Sequence, residues 1–172
     1  MKEQKGIIKE LNQIAAVFEK ILNIFIGIFV GILGLSVFIG VLGRNINIPV
    51  VWLDEVSTYC CIWATFFGFA VASRHGMLSN VDAFIHGFSE RAKGLYEYFL
   101  DYISAALLWV VVLWSGKDYI AYAYNAGTLS AQLRIPLFYV YLGPMIGYAF
   151  AIYFGIVNIV NKISELKAAE RK

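Results

Sequence analysis

Four long apolar stretches, separated by short polar segments, dominate the pattern of hydrophobic and polar positions along the chain. Charged residues are absent from residues 21–43, 56–73, 102–116 and 135–161. A bilayer core is crossed by about 20 apolar helical residues. We therefore predict an all-α integral membrane protein with four transmembrane helices, at about 21–43, 50–73, 95–116 and 136–161. The first stretch is too long for the apolar region of a cleaved signal peptide, so we expect it to remain as an anchor.

Two shorter segments, at about 5–19 and 80–88, have an amphipathic pattern. Apolar residues recur there at intervals of three and four positions, which places them on one face of a helix. We predict that both segments are short amphipathic helices at the membrane interface. A helix that packs on a partner protein has the same pattern, so this alternative stays open. All these elements belong to a single membrane domain over residues 1–172.

Composition and the placement of charge agree with the membrane class. The 172 residues are 60% hydrophobic and only 15% charged. Eleven of the 14 lysines and arginines fall in the N-terminal segment, the middle loop and the C-terminal tail. Since basic residues concentrate on the cytoplasmic side, we predict that both termini are cytoplasmic, as an even number of spans requires. A long basic tract that could bind nucleic acid is absent.

The polar residues argue against chemistry inside the bilayer. Ionisable groups near the bilayer centre mark ion and substrate pathways, and the four predicted spans have none there. The two histidines, His75 and His86, fall in the middle loop, so a haem held by two histidines between spans is not expected. Phosphate-loop, metal-ligand and nucleophile motifs are missing. We predict that the protein is not an enzyme and has no cofactor or metal.

Several residues have predicted structural roles. Gly27, Gly31 and Gly34 have the spacing that lets another helix approach closely. Arg44 follows the first span, and Asp54 and Glu55 begin the second, where the positive end of the helix dipole favours them. Our hypothesis is that Arg44 pairs with Asp54 or Glu55 and ties the first two spans together. Pro136 begins the fourth span, and Gly143–Pro144 is expected to kink it.

Together these residues resemble the small membrane subunit, the DctQ type, of tripartite ATP-independent periplasmic (TRAP) transporters. The resemblance covers most of the chain on a four-span arrangement. Its elements are, in order, Arg44, Trp52, Asp54, Glu55, Trp63, Phe67–Gly68, Arg74, Gly76, Val81–Asp82, Ser130, Leu133, Ile135–Pro136, Tyr139, Pro144 and Gly147. The family often has a histidine shortly before the valine–aspartate pair, where this chain has Leu78.

The resemblance implies a non-catalytic subunit of a bacterial inner-membrane transporter. Such transporters carry organic acids, of the dicarboxylate or sialic-acid type, by sodium-coupled symport. The large membrane subunit holds the substrate and ion sites, and the small permease braces it and helps dock the periplasmic substrate-binding protein. The expected partners are therefore those two proteins and membrane lipids. Candidates for structural or partner-interface roles are Arg44, Trp52, Asp54, Glu55, Arg74, Asp82, Pro136 and Pro144.

Two alternatives come from other functional classes. One is a membrane anchor subunit of a redox enzyme, against which the lack of histidines in the spans counts. The other is a small homo-oligomeric channel or exporter, which the glycine-rich first span permits.

Overall fold

Four helical segments account for most of the chain that a computed structural model describes, namely residues 2–48, 50–76, 110, 112 and 114–169. Helix α1 is Lys2–Asn45, α2 is Trp52–Arg74, residues 114–125 form α3, and α4 is Phe138–Ala169. Apart from the helices, the described ranges contain turns and one isolated bridge between Leu129 and Pro136. The prediction of an all-helical protein is confirmed over these ranges.

Three of the described helices are long and apolar enough to cross a membrane. They are Ile8–Asn45, Trp52–Arg74 and Phe138–Asn161, and they contain most of the first, second and fourth predicted spans. Of the predicted span 95–116, only residues 110, 112 and 114–116 are described, and these are helical. The predicted helix 80–88 and Asp82 lie outside the described residues. A count of four spans therefore stays a prediction.

Helix α1 joins two segments for which the sequence predicted separate elements. It has 44 residues and runs through 5–19 and 21–43 without a break. The physical reason is the lack of proline or glycine between Ala15 and Ile26, so nothing interrupts the hydrogen bonding there. At 1.5 Å per residue the helix is about 66 Å long, about twice the thickness of a bilayer core. The interfacial placement of residues 5–19 stays a prediction.

A tight turn connects α1 to α2. Asn47 has a φ of 58°, a left-handed conformation that asparagine tolerates better than most residues. The amide of Ile48 donates to the carbonyl of Gly43 at 2.8 Å, which folds the chain back over the end of α1. A Cβ at position 43 would lie 2.7 Å from the Ile48 carbonyl oxygen, so only glycine fits here.

Helix α2 lies between α1 and α4 and packs against both of them. Seven buried residues of these three helices form the core: Ala15, Leu22, Phe67, Ala70, Ala151, Phe154 and Val157. Aromatic rings fill the contacts around this core. Phe29 of α1 lies 5.8 Å from Trp63 and 6.1 Å from Phe67 of α2, measured between ring centroids.

Two glycines on α4 allow a close approach to α2. A Cβ at Gly147 would lie 2.6 Å from the backbone oxygen of Phe66, and one at Gly143 would lie 3.0 Å from the Trp63 ring. Pro144, predicted to kink the helix, lies inside α4 between these two positions. The three α1 glycines with the spacing for close helix packing make no such contact within the described chain. No described atom of another element lies within 4 Å of a Cβ at Gly27, Gly31 or Gly34.

Candidate functional site

The start of α2 meets the end of α1 through an ion pair. Arg44 Nη2 lies 3.2 Å from Asp54 Oδ1, which confirms the predicted pairing of this arginine with one of the two carboxylates. The side chains are 63% and 67% exposed, so solvent screens the attraction. Trp52, the first residue of α2, is 48% exposed beside this pair. The ion pair aligns two helix ends but contributes little to stability.

Glu55 makes a different and more distant connection. Its carboxylate accepts hydrogen bonds from the backbone amides of Gln132 and Leu133, at 2.9 and 3.0 Å. These amides belong to the loop of residues 126–137, which joins α3 to α4. Glu55 therefore fastens this loop to the start of α2. The sequence analysis missed the contact, although the resemblance had singled out both Glu55 and Leu133.

The 126–137 loop has its own internal order. The amide of Ser130 donates to the Ile135 carbonyl at 2.9 Å, and the Ile135 amide donates to Ser130 Oγ at 3.2 Å. Arg134 lies between them and has a backbone φ of 53°, which is unusual for a residue other than glycine. Pro136 forms the isolated bridge with Leu129 just before α4 begins. The loop is thus ordered by its own hydrogen bonds, and the Glu55 carboxylate of α2 binds it through two further hydrogen bonds.

At the opposite end of α2, Arg74 lies in a polar cluster that joins three helices. We call this group the Arg74 cluster; it consists of Asn12, Glu19, Ser73, Arg74, His75, Asn158 and Asn161. The arginine donates from Nη1 to Asn158 Oδ1 and from Nη2 to Asn12 Oδ1, both at 3.1 Å. Its side chain is only 17% exposed. One residue thereby contacts α1 and α4 from the end of α2.

The remaining contacts of the Arg74 cluster reinforce this junction. The side-chain amides of Asn12 and Asn161 hydrogen-bond reciprocally at 2.8 and 2.9 Å. His75 Nε2 lies 2.8 Å from Glu19 Oε1. Glu19 Oε2 is 3.9 Å from Arg74 Nε, which is within ion-pair range but too far for a hydrogen bond. That nitrogen is buried and has no hydrogen-bond partner.

The predicted site residues therefore fall into separate groups. Arg44, Asp54, Glu55 and Pro136 come together with the loop at one end, whereas Arg74 lies at the other end of α2. The sequence did not point to the other members of the Arg74 cluster that make these contacts, namely Asn12, Glu19, Ser73, Asn158 and Asn161. Within the described residues, no three His, Cys, Asp or Glu side chains are grouped so that they could hold a metal. Both groups connect helices.

The sequence of the chain is similar to a known protein family and to a named relative. Residues 33–165 match the sequence model of the DctQ component of the tripartite ATP-independent periplasmic transporters. A relative in Rhodobacter capsulatus, the C4-dicarboxylate TRAP transporter small permease protein DctQ, is 27% identical over 104 residues. That match covers 60% of this chain and 44% of the relative's length. No solved structure matches the chain. The family match covers well over half of the sequence and confirms the resemblance, so this protein belongs to the DctQ family of TRAP transporter components.

Proposed function

We propose that the protein is a small, non-enzymatic scaffold subunit of a sodium-driven transporter for organic acids in a bacterial inner membrane. Its role is to brace the large transport subunit in the bilayer and to help dock the periplasmic substrate-binding protein. The relative's name, a C4-dicarboxylate small permease, supports a dicarboxylate as the first substrate class to test, with sialic acids second. Family membership favours this function over a redox anchor and over a homo-oligomeric channel.

The distribution of charge carries the proposal. The three described spans have no charged residue between the level of Arg44, Asp54 and Glu55 at one end and that of Glu19, Lys20 and Arg74 at the other. Charged groups near the bilayer centre are the usual means of binding a charged substrate. Here the charges instead join helix ends. A chain built in this way is suited to holding a shape, while the partner subunit binds the organic acid and sodium.

The proposed topology has four spans with both termini in the cytoplasm. It places the Arg44 end and the 126–137 loop on the periplasmic side, and the Arg74 cluster on the cytoplasmic side. Single cysteines at Asn47 and Gly127, in a chain without native cysteines, test this arrangement. Both are expected to react with an impermeant maleimide from outside intact spheroplasts. Labelling that requires membrane disruption would contradict the topology.

The scaffold role is tested by isolating the tagged chain from native membranes in mild detergent and identifying the proteins that accompany it. We expect a stoichiometric, much larger polytopic protein. Recovery of copies of the chain alone would instead support a homo-oligomer, and a haem or flavin protein would support a redox anchor. Either result would refute the proposal.

A pair of variants separates scaffolding from substrate recognition. Changing Asp54 and Glu55 together to alanine is expected to reduce the yield of the complex, because it removes the ion pair and the loop contact. Asp118→Ala is the matched control, since this carboxylate is also exposed but belongs to α3. Uptake of competing acids by the surviving complex should keep the same order of preference. A changed order at unchanged yield would contradict a scaffold.

A further inference from the structure

Residues 8–19, in the N-terminal part of α1, are packed against α4 by part of their apolar face. Phe18 lies 5.2 Å from Phe150 and 5.8 Å from Tyr153, measured between ring centroids. The Tyr153 hydroxyl donates to the Leu11 carbonyl at 3.3 Å. Ala15, between these contacts, is fully buried. Leu11, Ala15 and Phe18, on the face that the sequence pattern assigns to the membrane interface, are thus covered by other helices, whereas Ile14 on that face is 48% exposed.

Apolar burial alone does not decide between these two locations. Lipid tails are as apolar as a leucine side chain, so lipid and α4 cover this face at similar free energy apart from packing. The polar contacts differ between the two locations, because they form only when the segment lies on α4. Asn12 and Glu19 are the α1 residues that contact Arg74. The arginine donates a hydrogen bond to Asn12, and its Nε lies 3.9 Å from the Glu19 carboxylate.

We propose that Arg74 is a positioning residue that latches residues 8–19 of α1 onto α4, and that opening this latch releases the segment to the membrane surface. Arginine suits the task because its planar fork donates to Asn12 and Asn158 at once, which binds α1 and α4 to the end of α2. This inference does not depend on the transport role.

Thiol accessibility in membranes containing the full chain measures the released population. Ala15→Cys is placed in a background with Cys60 and Cys61 changed to alanine, and its reaction rate with a small membrane-permeant maleimide is recorded. The neighbouring Ala16→Cys is the matched control, since position 16 is exposed in the docked state. Leu53→Cys, buried at the opposite end of α2 from Arg74, reports on unfolding of the bundle.

Arg74→Gln should raise the reaction rate of the thiol at position 15 by about tenfold or more, because hydrogen bonds from a charged donor shift equilibria by such factors. The thiols at positions 16 and 53 should react as before. Arg74→Lys should give an intermediate rate, since an ammonium lacks the fork that reaches two amides.

If Arg74→Gln also exposes the thiol at position 53, the whole bundle has opened, and Asn12→Ala then decides, because it removes the α1 partner of Arg74 and leaves the arginine in place. A faster reaction at position 15 with position 53 still protected supports the latch. An unchanged rate at position 15 in Arg74→Gln or, where that variant opens the bundle, in Asn12→Ala would overturn it.

Discussion

Replacing Gly147 with alanine tests whether backbone contact between α2 and α4 sets the packing of the bundle. The added Cβ would lie 2.6 Å from the Phe66 carbonyl oxygen and 2.8 Å from its carbonyl carbon. An ordinary contact needs at least 3.4 Å, so the helices must separate by about 0.8 Å. The obstruction is backbone within a helix, which cannot rotate out of the way as a side chain can.

The expected loss follows from that displacement. A gap of about 0.5–1 Å forfeits a quarter to a half of the dispersion energy of each contact across an interface. Overpacking of this kind typically costs about 1–3 kcal/mol. Alanine in place of glycine recovers about 0.5–1 kcal/mol of helix propensity. We therefore expect Gly147→Ala to lower the free energy of unfolding by about 1–2 kcal/mol.

Unfolding of the purified chain in mixed micelles, by titration with sodium dodecyl sulfate and circular dichroism, measures this difference. Gly31→Ala is the matched control, since it is also a mid-helix glycine but no described atom of another element lies within 4 Å of its Cβ position. The control should be neutral or slightly stabilised. Gly143→Ala should fall between the two, because the Trp63 ring can shift. Equal stability of the Gly147 and Gly31 variants would refute the reasoning.

Three further predictions concern the ends and the core. Arg44→Ala and Asp54→Ala should each change the free energy of unfolding by less than about 1 kcal/mol, as expected for an exposed ion pair; a larger loss in the same titration would mean that the pair is shielded. Glu55→Ala should speed amide hydrogen exchange in the 126–137 loop, whereas unchanged exchange would show that the loop orders itself. Phe154→Ala leaves a cavity and should destabilise clearly more than Ile156→Ala, which is exposed, but by less than the about 3–5 kcal/mol of soluble cores, since lipid solvates the unfolded segment; equal losses would contradict this.

The sequence predicted the elements whose signal is local. Long runs without charge mark α2 and most of α1 and α4, because a bilayer core leaves few alternatives to a helix. The pairing of Arg44 with Asp54 could also be predicted from the sequence. These residues are ten positions apart across a short turn, so opposite charges there have little freedom to avoid each other.

Other contacts could not be predicted because they join distant positions. Glu55 meets the loop 77 residues further along the chain, and Asn12 meets Asn161 across 149 residues. An asparagine in an amphipathic helix looks like any solvated polar residue until its partner is known. The glycine contacts illustrate the same difficulty, since spacing alone favoured Gly27 and Gly31, whereas the close approach within the described chain involves Gly147.

The placement of specific contacts follows from how little the bilayer itself favours one helix arrangement over another. Apolar faces gain little from packing together in lipid, so shape must come from close backbone approach and from hydrogen bonds. In the described helices, close backbone approach occurs near the middle, where Gly147 meets Phe66. Hydrogen bonds occur at both ends, at Glu55 and in the Arg74 cluster. The contacts of Gly147 with Phe66 and of Arg74 with Asn158 fix α2 relative to α4, and Glu55 fixes the loop that precedes α4. The scaffold role proposed above requires such fixed geometry more than it requires a large buried core.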